Sequence, residues 1–474
     1  MTFSNALSNA LSGMNAATTA VQVRSNNIAN ASNPGYARRD VVLSTGVVGG
    51  VRVTSIERAG DPILLKDRLS AAARSAGLNA QSEAVEQLNQ LFGEPGDTQG
   101  LFASLTRFET SLDDLAATPE SGSYQAATLR AAQDLTNTIN RLGDAVTEAR
   151  TDADREIGAT VAAVNRALSA LEDLNGISSR GDANGLGDAA EQRQAQIDII
   201  AQALDINVDD AGRGRLRITT AEGVLLLGET ARTIEFSSGG IVAPGQTIGS
   251  GHLSGLTVDG VDITPKGGAQ AIRSGYLAGQ FAVRDEIVPE FSDRIDDLSQ
   301  DIVDRFTGTG VDGTLAPGEE GLFISNGTGD GIAARISVNS AVNPDEGGEL
   351  WRLRDGINAT IAGPSANLGV IGGLLAAADA PRALSSVTDT PAVLSLSETT
   401  AAFASVVGTQ RQDAVSAAAA ATSTAQSLRD EELAITGVNT DQELQSLLLI
   451  EQAYAANARV VQVVSDMMAR LLEI

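Results

Sequence analysis

Apolar residues recur every seven positions at both ends of this 474-residue chain. Leu7, Met14, Val21 and Ile28 mark the first end. Leu447, Tyr454, Val461 and Met468 mark the last, with Ile450, Val464 and Leu471 along a second seam. A seven-residue repeat predicts a helix whose narrow apolar stripe packs against another helix. The two ends are therefore read as paired coiled-coil helices, a terminal inner domain over 1–36 and 438–474, with the rest looped out from a shared stalk. That plan suits a filament subunit or assembly protein better than an enzyme.

The face opposite the first stripe is Ser4, Asn5, Ser8, Asn9, Ser12, Asn15, Thr18 and Thr19, and no charged side chain occurs from Met1 to Val23. Ser, Asn and Thr are mediocre helix formers. This end is expected to become stable helix only when a partner covers its stripe. The helix should stop near Asn30, because Asn33-Pro34-Gly35 presets a tight turn. Val41 to Leu43 and Val51 to Val53, either side of the glycines at 46–50, then predict a β-hairpin.

One long helix dominates the middle. Leu129, Ala132, Leu135, Ile139, Leu142, Val146, Ala149 and Ala153 alternate steps of three and four. Ile157 and Val161 form a stutter, and Val164, Leu168 and Leu171 resume the pattern. About 45 residues make a rod on the order of 70 Å. From Ile206 to Gly275 short β-rich runs alternate with Gly-containing turns. Helix returns over Ala282–Phe306 and again from about Ala392 to Leu433, closed by Gly437. Thr440 and Glu443 have the spacing of a capping box at the start of the last helix. The expected fold is mainly α with a smaller β part. A helical middle domain covers 37–205 and 276–437 and opens with the hairpin; a β-rich insert covers 206–275, and 307–380 is irregular and Gly-rich.

Composition narrows the functions. There is no cysteine, so disulfides, thiol chemistry and cysteine-ligated zinc are excluded. A net charge of −27 argues against nucleic acid or an anionic membrane as partner. No run of apolar residues is long enough to span a membrane, and the N-terminus lacks the basic start and continuous apolar run of a cleavable signal peptide. His252 is the lone histidine and reads as turn-exposed. Gly308 to Gly313 imitates a dinucleotide loop but follows a helix instead of a strand. Asn326 to Gly331 imitates the start of a calcium loop, yet Ser337 stands where the bidentate Glu is needed. No catalytic, cofactor or metal site is assigned.

Asn27, Ile28, Ala29 and Asn30, followed by Asn33, Pro34, Gly35 and Tyr36, resemble the signature of bacterial flagellar axial proteins, which build the rod, the hook and the hook–filament junction. The usual residue at the position of Asn33 is Thr. Arg38, the Gly49-Gly50-Val51-Arg52-Val53 run, Phe92-Gly93-Glu94-Pro95, Thr118-Pro119-Glu120 and Gly437-Val438-Asn439 point toward the hook-associated branch. Gln452 to Arg459 matches the family's C-terminal helix, and Glu191-Gln192-Arg193-Gln194 is a weaker match.

The resemblance implies a structural protein exported unfolded by the flagellar type III apparatus, with its terminal helices lining the axial tube. It also implies self-assembly into a ring or helical layer, with hook protein below and a second junction protein above. Before export, a cytoplasmic chaperone is expected on the C-terminal helix. The alternatives are a rod, hook or second junction protein, a secreted coiled-coil adhesin, or a hydrolase built on the β insert.

Overall fold

The computed structural model describes residues 3–33, 35–46, 49–93, 97–178, 186–212, 214–383 and 393–472. Pro34, Glu94 and Pro95 of the family motifs lie outside them. α1 (Phe3–Ala29) is followed by an antiparallel hairpin, β1 (Arg39–Thr45) and β2 (Val51–Arg58). The Tyr36 amide donates to the Asn33 carbonyl at 3.2 Å, and Gly35 takes the positive φ, 85°, that an L side chain resists.

α2 (Pro62–Phe92), α3 (Leu101–Ala117) and α4 (Gly122–Ser178) come next. α4 runs 57 residues, longer than the periodicity indicated. Its predicted stripe is buried from Leu129 to Leu171, apart from the half-buried Ala149. After α5 (Leu186–Ala203) the β segment forms two three-stranded sheets. These are β3 (Ile206–Gly212), β4 (Arg215–Thr220) and β5 (Leu225–Leu227), then β6 (Ile234–Glu235), β7 (Thr257–Val258) and β8 (Val261–Asp262).

Helix resumes earlier than expected, at α6 (Tyr276–Ala282), and passes through one π turn, Val283–Ile287, into α7 (Val288–Arg305). Pro289 accounts for the turn: it has no N–H, and its ring clashes with the carbonyl four residues back in a regular helix. Residues 307–380 are not loose coil. They carry β9 (Phe323–Ile324), β10 (Ser337–Val338), α8 (Arg352–Asp355) and α9 (Gly369–Asp379). β11 (Arg382–Ala383) and β12 (Val393–Leu394) precede α10 (Leu396–Thr436), and α11 (Thr440–Leu472) ends the described chain.

Two cores hold these elements. The first joins α3, the N-terminal half of α4, α7 and α10 to the segment 307–380, through Leu315, Phe323, Ile336, Leu353 and Ile371. Aromatic residues are scarce, and six of the ten phenylalanines are concentrated here in two nests. Phe92 meets Phe403 edge-on at 4.7 Å and Phe291 at 6.5 Å; Phe108 meets Phe306 at 5.7 Å and Phe323 at 5.4 Å. The second core joins Ile157 to Leu174 of α4 and Ile197 to Leu204 with Ile206, Ile218, Leu226, Leu256 and Ile263 of the β segment. The β segment is thus packed into the helical body.

α10 runs antiparallel along α2, joined by Arg411–Glu86 at 3.1 Å, Ser75–Thr422 at 3.0 Å and Arg68–Glu432 at 2.6 Å. At the other flank of α2, Gly77 meets the turn before α6. A Cβ on Gly77 would lie 2.6 Å from the Gly275 carbonyl oxygen, so glycine sets the depth of that crossing.

Burial pushes the carboxyls of Glu109, Asp293, Asp296 and Glu432 above their ordinary range, with acidic neighbours adding to the effect at Glu109 and Asp293. Each binds its proton more tightly folded than unfolded. Their contribution to stability is therefore complete below the ordinary carboxylate range and is lost as pH rises through the raised values. Protonation also relieves the self-repulsion of a −27 chain. The melting temperature should rise by a few degrees from neutral pH to about pH 5. Calorimetry showing a steady fall over that window would contradict this sign.

Candidate assembly interface

The two chain ends meet as one antiparallel helix pair. α1 approaches α11 so closely at Gly13 that a Cβ there would lie 2.7 Å from Asn457 Nδ2. Farther down the pair, both Oε atoms of Glu443 accept from Arg24 Nη1 at 3.1 Å.

At the base of the pair sits Asn27, fully buried. All four of its side-chain hydrogen-bonding positions are used. Nδ2 donates to the Arg39 carbonyl at 2.9 Å and to Glu443 Oε2 at 3.2 Å, while Oδ1 accepts from Tyr36 Oη at 2.8 Å and the Arg39 amide at 3.0 Å. Arg24 also pairs with Asp40 at 2.8 Å, Arg39 with Glu191 of α5 at 2.7 Å, and the Arg38 amide donates to the Thr436 carbonyl at 2.7 Å. One buried amide therefore joins α1, the hairpin and α11, with α5 and α10 tied in around it. Of the family motif, Asn27 and Tyr36 bond directly in this knot.

Glu443 does not close a capping box. Asn439 caps α11 instead, its Oδ1 accepting from the Asp441 and Gln442 amides at 3.1 and 3.2 Å. The Glu443 carboxylate is drawn away by Arg24 and Asn27 and is nearly fully buried. Glu443→Gln would turn an amide donor toward those donors, at about 1–3 kcal/mol. The expected result is faster amide exchange in the first turns of α11, with Leu129–Leu171 unchanged. Equal exchange in both variants would mean the knot does not hold the helix.

The predicted stripes sit along the flanks of the pair more than at its centre. Leu7, Met14, Val21 and Ile28 are half-buried, and the shielded residues of α1 are Ala10, Ala16, Ala17, Val23 and Asn27. On α11, Val464 is buried and Leu447, Ile450 and Val461 are half-buried, but Tyr454 and Met468 are exposed. The side chain of Leu471 is outside the described residues. Small residues at the contact allow the close approach that pushes the larger stripe residues outward. α11 consequently presents Leu444, Leu448, Leu449, Val460, Val463, Met467 and Met468 to solvent.

His252 is exposed in its loop, 3.0 Å from Ser250 Oγ. Asp312, in the glycine-rich run before β9, is a buried brace: it accepts from the Ile357 amide at 2.7 Å and the Thr314 amide at 2.8 Å. Asn326, in the calcium-like run, donates to the Arg335 carbonyl at 2.7 Å. Among the described residues no cluster of three or more His, Cys, Asp or Glu side chains has metal-binding geometry, and no helix is long and apolar enough to cross a membrane.

The fold is a helical body with both chain ends gathered into one partly covered pair. The model of the flagellar hook-associated protein FlgK helical domain matches residues 85–323, and that of the flagellar basal body rod FlgEFG protein C-terminal region matches 431–474. The chain belongs to the flagellar hook-associated protein family. It is 26% identical to flagellar hook-associated protein 1 of Salmonella typhimurium, a match spanning 53% of this chain and about half, 51%, of that protein. Similarity to the Escherichia coli K12 protein of the same name is 24% over 99% of this chain and 100% of the relative; for Bacillus subtilis it is 24% over 98% and 97%. The flagellar hook junction protein FlgK of Burkholderia pseudomallei aligns with TM-score 0.44 and 19% identity over 55% of this chain and 46% of its own.

Proposed function

We propose that this chain is a structural subunit joining the flagellar hook to the filament, without enzymatic activity, and that it is required for filament assembly and motility. The observation that carries this reading is the uncovered apolar face of α11. A helix covered on one side only, with seven large apolar residues in water, is built to be completed by neighbours. In this reading the terminal helices of many copies wind together as coiled coils in a ring or helical layer, with hook protein on one side and a second junction protein on the other. Before export through the type III apparatus the same face of α11 is the surface a cytoplasmic chaperone would cover; after export the protein resides outside the cell. The match of 431–474 to a flagellar basal body rod C-terminal region fits any axial protein, and the helical-domain match over 85–323 favours the junction.

Deleting the gene in the source bacterium tests the proposal. Hooks should remain, filaments should be lost and unassembled flagellin should accumulate in the medium, with restoration by the unsubstituted gene. Normal filaments in the deletion strain would reject the junction role.

A further inference from the structure

α1 carries both the β1–β2 hairpin and α11 against it, side by side, since one residue of α1, Asn27, bonds both Arg39 of the hairpin and Glu443 of α11. Both layers leave an apolar face outward. On the hairpin, the cross-strand pairs Val41–Ile56, Leu43–Val53 and Thr45–Val51 share one side of the ladder. Leu43 there is 51% exposed and Ile56 46%. On α11, Leu448 is 60% exposed, with Leu444 beside it one turn earlier.

The two faces also lie at the same height. The hairpin is pinned along α1 from Asn27, which holds Arg39, to Ser12, whose Oγ accepts from the Val51 amide at 3.0 Å. α11 is pinned over the same stretch, from Glu443 at Asn27 to Asn457 at Gly13. Arginines outnumber acids four to two over residues 36–58, and acids outnumber arginines four to two over 440–472; Arg38, Arg39, Asp40 and Glu443 among them are already paired within the chain. Arg52 and Glu451 are exposed members of those sets.

We propose that the outer face of the hairpin in one copy docks on the outer face of α11 in the next copy at the same level, around Leu43 and Ile56 on one side and Leu444 and Leu448 on the other. The contact is heterologous, since two different patches meet, so repeating it generates a ring or helical layer and not a closed dimer. It rests on the axial-subunit reading above and assigns which surfaces of that subunit meet.

The absence of cysteine makes the test direct. Leu43→Cys and Leu448→Cys are introduced singly and together into the full chain, expressed in the deletion strain, and treated on intact cells with a flexible bismaleimide. The double variant should give a ladder of dimers, trimers and higher species, and neither single variant should. Dimers from Leu43→Cys alone would place hairpin against hairpin and overturn the proposal, as would cross-links only to a different protein. A swimming strain with no ladder from the double variant would overturn the docking while leaving the axial role intact. Failure of the unsubstituted gene to restore filaments would instead reject that parent role. Independently, Leu43→Glu should abolish filament attachment while the purified protein keeps the circular dichroism and melting temperature of the parent. Full motility of that strain would also overturn the contact.

Discussion

Asp154→Ala should release the loop between β6 and β7 from the long helix and destabilise the helical body by about 3–5 kcal/mol, the usual consequence of stripping one partner from a buried ion pair. Asp154 and Arg284 are both fully buried and 2.6 Å apart. Asp154 Oδ2 also accepts from Ser238 Oγ at 2.6 Å and the Gly239 amide at 2.8 Å. Arg284 leaves the π turn with its guanidinium 4.6 Å from the Phe281 ring centre, and it donates to the Ser254 carbonyl at 3.2 Å. Neighbouring Arg150 donates to the carbonyls of Arg284, Ala243 and Gln246 at 2.9, 3.0 and 2.6 Å. Removing the carboxylate leaves Arg284 with Asp285 as its remaining counter-charge, at 2.9 Å, and leaves two donors of the loop without an acceptor. Protease sensitivity within Ser237–Gly255 should appear well below the global transition. Asp285→Ala, at a partly exposed carboxylate, should do far less. Equal effects from the two substitutions would mean that the Asp154–Arg284 pair contributes through net charge alone.

How far the sequence led depended on which force shaped each element. α4 was legible because its core contacts repeat at helical spacing from Leu129 to Leu171, about twelve turns, and each of Leu129, Leu135, Ile139 and Leu142 reports the same face. The hairpin and the Asn33 turn were legible because glycine and proline act locally. The segment 307–380 was not. Its buried Phe323, Ile336, Leu353 and Ile371 sit on two-residue strands and short helices, too brief for any period to register. The π turn was invisible to an apolar count, although Pro289 inside a helical pattern was a signal that could have exposed it.

The assembly site divides in the same way. Hydrophobic periodicity selected Ile28 and passed over its neighbour Asn27, the buried centre of the knot, because a polar residue at the core side of a helix lies outside that pattern. Its presence in the family motif was the available clue. Glu443 was read through its local spacing to Thr440, and a partner more than 400 residues away in sequence, Arg24, decided its role. The offset between the heptad stripes and the actual α1–α11 contact has one cause, the small residues at the contact. Alanine and glycine score weakly in any hydrophobic pattern, yet they set how near two helices come.

Val464→Asp and Met468→Asp should part company, and the difference separates pairing within a chain from assembly between chains. Val464 is 4% exposed on the side of α11 that α1 covers. A carboxylate there loses its hydration for no compensating bond, costing on the order of 2–5 kcal/mol. The last turns of α11 should then separate from α1 in the isolated protein, seen as lost amide protection after Val461, and filament attachment should fail. Met468 is 48% exposed, so the same charge should change monomer stability by no more than about 0.5 kcal/mol. If neighbouring copies cover that face, Met468→Asp still buries a charge on assembly, and the strain should swim no better than the deletion strain while its purified protein behaves as the parent. A motile Met468→Asp strain would show that this last stretch of α11 stays wet in the finished structure. Unchanged protection in Val464→Asp would show instead that α1 does not cover it. With both residues on one face of one helix and one turn apart, export, expression and helix propensity are matched between the two variants, so the contrast reports how far along α11 each copy covers that face for itself.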